Sequence, residues 1–197
     1  MKTTRLEAFS DGVFAVIITI MVLEMKVPHG SDVGALRPVV PVFLSYVLSF
    51  IFLGIYWNNH HHMFHAVGKI HGPSLWANLH LLFWLSLIPF VTGWMGENDF
   101  AAWPVALYGI VLFCAACAYT ILARSLIKRE GKHSTLAAAL GKDTKGKLSI
   151  LLCALAIPLA FVAPWMSCAL YVTVAVIWLI PDSRIERTLT KAERATD

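Results

Sequence analysis

The twelve residues from Gly12 to Leu23 carry no charge and one hydroxyl, that of Thr19. A run of this kind reads as a membrane-spanning helix. Directly ahead of it stands Arg5-Leu6-Glu7-Ala8-Phe9-Ser10-Asp11. An aspartate at the edge of hydrocarbon is costly unless it is paired or faces water, so by default it marks function. Capping of the helix start by Ser10 and Asp11 is the plainer alternative. Ser10 and Asp11 lie five and six residues after Arg5, off its helical face, so Arg5 and Asp11 need partners on other helices or another subunit. At about 100° per residue, Phe9, Gly12, Val13, Val16, Ile20, Leu23 and Val27 form one stripe, with Thr19 at its border. Periodicity alone does not separate a pore lining from a helix packing seam.

Composition agrees with the class. Of 197 residues, 58% are hydrophobic and 14% charged, and mean hydropathy is +0.68. Soluble domains carry about 25% charged residues. The sequence predicts an all-α membrane protein with six spans, near 9–27, 39–60, 75–95, 104–126, 148–163 and 166–181. The six-helix unit occupies 1–181, and a tail follows at 182–197. Met1-Lys2 to Arg5 leads into an acidic motif rather than a short apolar core with a small-residue cleavage site, so the first helix is expected to stay. No internal repeat suggests a two-half transporter. Fourteen of the 16 Lys and Arg residues fall in the N-terminus, the second and fourth connections and the tail; Lys26 and Arg37 are the exceptions. Both termini are therefore expected in the cytoplasm. The Arg124–Lys147 loop reads as a membrane-surface loop, and no aromatic interleaving or fold signature points to nucleic acid.

The polar residues inside the spans are the other candidates. The second span ends in Tyr56-Trp57-Asn58-Asn59-His60-His61-His62-Met63-Phe64-His65. His61 and His65 have the i,i+4 spacing of a metal-chelating helix face, but no Asp, Glu or Cys accompanies them. The third span carries Asn78 and His80. A haem iron held between that helix and the histidines of the second is an alternative, with no metal site expected otherwise. Cys114-x-x-Cys117, Cys153 and Cys168 sit among apolar residues and read as packing. Hydrolytic and nucleotide-binding motifs are absent, so no enzyme is expected. The Thr-Val-Gly-Tyr-Gly filter of ordinary potassium channels is absent too.

Arg5-x-x-x-Phe9-Ser10-Asp11 at the head of a first membrane helix resembles the signature of the lysosomal potassium channel family and its bacterial homologues. The likeness runs on through Gly12-Val13-Phe14-Ala15, Thr19 and Leu23-Glu24, then Tyr56-Trp57-x-x-His60, Asn78-Leu79 and Leu87-Ile88-Pro89-Phe90. The resemblance implies a potassium-preferring cation channel in the bacterial cell (inner) membrane. It implies a homotetramer in which each subunit's first helix lines the path, with no cofactor beyond the permeant potassium ion. Carried over, the constrictions are Val16, Ile20 and Leu23, with Thr19 as the adjacent polar ring. Val16 is smaller than the residue such a constriction usually holds. Arg5, Phe9, Ser10 and Asp11 become a structural motif, His60 and His80 its candidate partners, and proton conduction a further alternative. Leu23 is the expected tightest ring, and Met21, well round the helix, the expected neutral position.

Overall fold

The structure, a computed structural model, describes residues 3–67, 70–131, 134, 136–137 and 143–179. The expected tail at 182–197 lies outside them. Among the described residues, seven α-helices have defined bounds: α1 (Thr3–Leu23), α2 (Val40–His65), α3 (Gly72–Ser86), α4 (Ile88–Glu97), α5 (Ala102–Glu130), α6 (Thr144–Leu159) and α7 (Pro164–Leu179). A short 3-10 helix, Val33–Val39, leads into α2. No strand occurs among the described residues. Thr3–Leu23, Val33–His65, Gly72–Glu97 and Ala102–Arg129 are each long and apolar enough to cross a membrane, and Pro164–Leu179 is a shorter apolar helix.

The expected third span is two helices. Pro89 has no N–H to give the Leu85 carbonyl, and its ring crowds that carbonyl, so the helix breaks two residues earlier, at Leu87. The expected start of α1 also moves. The helix begins at Thr3, so Ser10 and Asp11 lie inside it and cap nothing. Its last helical residue is Leu23, which leaves Val27 beyond the helix.

Helix α5 forms the spine, packing on α3, α4, α6 and α7. Helix α2 packs on α1, α4 and α7, and α1 rests on α2, α3 and α4. Leu53, Leu81, Leu85, Ile88, Met95 and Tyr108 are fully buried where these helices meet. Hydrocarbon offers a buried hydroxyl nothing, so such groups must find each other. Thr92 donates to Ile88 O at 2.6 Å. Its one proton is then spent, so Ser49 donates to Thr92 at 2.7 Å, and the Tyr108 hydroxyl donates to Ser49 at 3.0 Å. This chain of hydroxyls joins α2, α4 and α5. The four cysteines are free thiols.

Two glycines let backbones close in, as small residues do between membrane helices. A Cβ on Gly109 would overlap the Tyr171 hydroxyl, which donates to Val105 O at 3.1 Å and ties α7 to α5. A Cβ on Gly96 would stand 2.6 Å from Val42 Cα, a backbone atom with no rotamer to escape into. Gly96→Ala should therefore cost about 1–3 kcal/mol and lower the thermal midpoint of detergent-purified protein. An unchanged midpoint would show that α2 and α4 do not approach this closely.

Candidate functional site: the two faces of the first helix

Helix α1 buries Leu6, Ser10, Phe14, Ile17 and Met21, spaced three to four residues apart, against the rest of the bundle. The expected stripe falls mostly outside that face. Phe9, Val16 and Ile20 are exposed, Leu23 is 82% exposed, and Gly12 has open space where a side chain would begin. Val13 is half-buried and borders the core instead. Thr19 is exposed, and its hydroxyl proton bridges Ala15 O and Val16 O at 3.1 and 2.9 Å, so only its lone pairs face outward. Alongside the stripe runs an open cleft of about 470 Å³, closed on its far side by Ser86 and Pro89 at the α3–α4 break.

A polar tie fixes which face is which. Ser10 is fully buried and donates to Leu6 O at 2.9 Å. Having spent its proton, it accepts from Asn78 Nδ2 at 3.0 Å. Asn78 therefore turns its oxygen to His60, 2.7 Å away, and the His60 ring must carry its proton on Nε2. His60 Nδ1 is left as the one buried side-chain polar atom without a partner among the described residues. The ring lies edge-on to Phe14 and close to Phe64.

Two further bonds join α1 to α2 in antiparallel register. Trp57 Nε1 donates to Asp11 Oδ1 at 3.0 Å, and one turn on His61 Nδ1 meets Glu7 Oε1 at 2.7 Å. Both are exposed, whereas the Ser10–Asn78–His60 chain is buried. The buried anchor is thus Ser10, not Asp11. Arg5 is exposed with no partner among the described residues, and Phe9 is exposed beside it.

His80 does not join this tie. It is exposed, and its Nε2 accepts from Trp84 on its own helix at 3.0 Å. His80 lies two residues, about 200°, from Asn78, so it cannot face α1 when Asn78 does. The same geometry separates His60 from His80 as a pair of haem ligands. Among the described residues no three His, Cys, Asp or Glu side chains stand close enough to hold a metal ion. Asn78, Trp57 and Glu7 carry the partnerships that the sequence assigned elsewhere. An asparagine in an apolar span was itself the signal for the first. The matching i,i+4 pairs Glu7/Asp11 and Trp57/His61 were the signal for the others.

At the far end of α1, Lys26 pairs with Glu97 at 2.7 Å on the exposed surface. The Glu24 carboxyl is pushed above the ordinary carboxylate range, first by burial and then by the charge of Glu97. Met21 is buried in the core, so it is not a neutral position: Met21→Ala leaves a cavity, at about 2–5 kcal/mol. Val22, exposed and about 120° round the helix from Val16, is the neutral one.

A bundle of apolar spans, with one helix keyed by buried polar bonds and bare along an apolar stripe, defines a polytopic helical membrane protein. Residues 5–89 match the family described as the endosomal/lysosomal potassium channel TMEM175. A protein of Chryseobacterium sp. strain P1-3 named as a potassium channel is 55% identical over 189 residues, covering 96% of this chain and 98% of its own. The chain belongs to the TMEM175 family. The human relative, named an endosomal/lysosomal proton channel, is 40% identical over 81 residues, 35% of this chain and 16% of that protein. The fold matches a crystal structure from Chamaesiphon minutus, titled a lysosomal potassium-selective channel TMEM175 homolog. The TM-score is 0.78 at 27% identity, covering 90% of this chain and 96% of that one.

Two outcomes follow for the site. Removing Asn78 strands His60 Nε2 and takes away the donor to the Ser10 oxygen, so Asn78→Ala should destabilise by about 1–3 kcal/mol. The His60→Ala, Asn78→Ala double mutant should lose less than the sum of the singles, and additive thermal shifts would dissolve the tie. A raised carboxylate pKa favours the folded state below the carboxylate range, and that advantage is lost as pH rises through it. Glu24→Gln should therefore raise the thermal midpoint near about pH 7 and leave it unchanged below about pH 4. A midpoint raised equally at both would mean burial does not act on the charge.

Proposed function

We propose that this protein is a potassium-preferring cation channel of the bacterial inner membrane, with its path lined by α1 of each subunit in a homotetramer. The observation that carries this is the apolar stripe Val16–Ile20–Leu23, exposed on a helix whose opposite face is locked into its own bundle. One helix encloses nothing, and four such stripes meeting on an axis close a path. The printed names of the Chryseobacterium and Chamaesiphon relatives support potassium as the ion.

Six spans carry the chain, with α3 and α4 together forming the third, and both termini lie in the cytoplasm along with the tail at 182–197. Helices α6 and α7, sixteen residues each, reach about 24 Å. That is short of a hydrocarbon core of about 30 Å, which thins or snorkels to meet them. Arg5 and Phe9, exposed within one chain, then face a neighbouring subunit. A ring of leucines stops ions by withholding water, so an ion that sheds its shell cheaply passes more readily, and dewetting can gate the path. Proton conduction is the second proposal, favoured by the printed name of the human relative.

Purified protein should run as a tetramer and carry potassium into liposomes. Leu23→Ala should raise flux and erode preference for potassium over sodium, while Val22→Ala should change neither. A monomer that retains flux would end the pore proposal. Equal effects of Leu23→Ala and Val22→Ala would mean α1 is rotated from this assignment. Proton flux without potassium flux would favour the second proposal.

A further inference from the structure

On the side of the bundle away from α1, a narrow slot runs between α2, α5, α6 and α7. Its deep wall is apolar: Phe52, Leu112, Cys153 and Val174. Its outer part is lined by Tyr56, Tyr119, Thr120, Gly146 and Trp178. From Thr120 to Leu112 its lining spans eight residues of α5, about 12 Å along the helix axis. The void measures ≈ 40 Å³, on a scale where one water needs about 10–15 Å³. A void this small has room for a slender alkyl segment and not for a fused-ring molecule.

Its polar groups are arranged by depth. Thr120 spends its proton on Ala116 O, and Trp178 Nε1 donates to Ser149 Oγ at 2.8 Å, latching α7 to α6. The Tyr56 and Tyr119 rings meet edge-on at 6.1 Å, and their hydroxyls have no hydrogen-bond partner among the described residues. Two phenols that give their protons to no protein acceptor, part-way down an apolar slot, are free to donate to the ester or carbonyl oxygens of a ligand. At the mouth Asp143 Oδ1 accepts from the Gly146 N–H at 3.2 Å. Arg124 and Lys147 stand near enough to draw its carboxyl down against the stronger upward push of burial. Two exposed cations thus flank one half-buried carboxylate, and Lys145 adds a positive charge on the same turn.

We propose that this slot binds an anionic phospholipid of the adjacent leaflet, with its phosphate at Arg124 and Lys147, an ester carbonyl at Tyr56 and Tyr119, and one acyl chain against Phe52, Leu112 and Cys153. Three layers of protein chemistry match three layers of the lipid in the same order. Basic residues at a membrane surface favour anionic headgroups by about 1 kcal/mol each. The leaflet rests on the orientation proposed above, whereas the site itself does not.

The test is native mass spectrometry of the delipidated full-length protein, titrated with phosphatidylglycerol, phosphatidylcholine of the same chains, or oleate. One phosphatidylglycerol per subunit should bind roughly thirtyfold more tightly than phosphatidylcholine, the effect expected of two cations. Ala116→Phe and Val174→Phe, filling the slot from different helices, should each remove that lipid while a thermal melt still reports folded protein. Arg124→Gln should reduce the preference for phosphatidylglycerol, and Asp143→Asn should increase it. Equal retention of phosphatidylcholine would overturn the proposal. So would phosphatidylglycerol held undiminished by both filled variants, or oleate bound where phosphatidylglycerol is not. Binding is read without ion flux: a protein that conducts but holds no lipid refutes only this proposal, and one that holds lipid but does not conduct refutes only the channel.

Discussion

The structure depends on one property of its solvent, since hydrocarbon satisfies no hydrogen bond. Ser10, Asn78 and His60 are each fully buried, and each has a partner inside the protein. Their proton directions are dictated in sequence, from Leu6 O through Ser10 and Asn78 to His60 Nε2. Rotating α1 by even one residue, about 100°, would break the chain at Ser10 and expose Phe14 and Ile17. Apolar packing alone would permit several rotations of nearly equal energy, because lipid tails are as apolar as leucine. The polar tie selects one.

Because α1 cannot turn, its outward stripe becomes a fixed feature. Phe9, Val16, Ile20 and Leu23 all remain bare in the single chain. The tie lies near the start of α1 and the stripe continues to its other end. Under the proposed channel, anchoring and permeation can therefore vary separately along one helix. Just past the end of that helix, Lys26 pairs with Glu97 of α4 on the exposed surface.

The remainder of the bundle is built for closeness. Gly96 and Gly109 bring α2 to α4 and α7 to α5, and the Ser49–Thr92–Tyr108 chain pins α2, α4 and α5 at one depth. Between α2, α5, α6 and α7, Phe52, Tyr56, Tyr119 and Trp178 line the slot instead.

The sequence by itself determined the membrane class, the helical architecture and the stripe on α1, because hydrophobic period and charge placement are local properties. The family it resembled is the one to which the chain belongs. The sequence misjudged matters that depend on neighbours. Asp11 looked like the buried anchor, yet Trp57 meets it at the surface and Ser10 takes the interior. His80 looked equivalent to His60, but the rotation of α3 points Asn78 inward and His80 out. Met21 looked neutral because it lies off the stripe, and the bundle made it core. Those assignments required tertiary structure, because a polar side chain in a membrane helix is defined by its partner, and sequence spacing reaches only partners on the same helix.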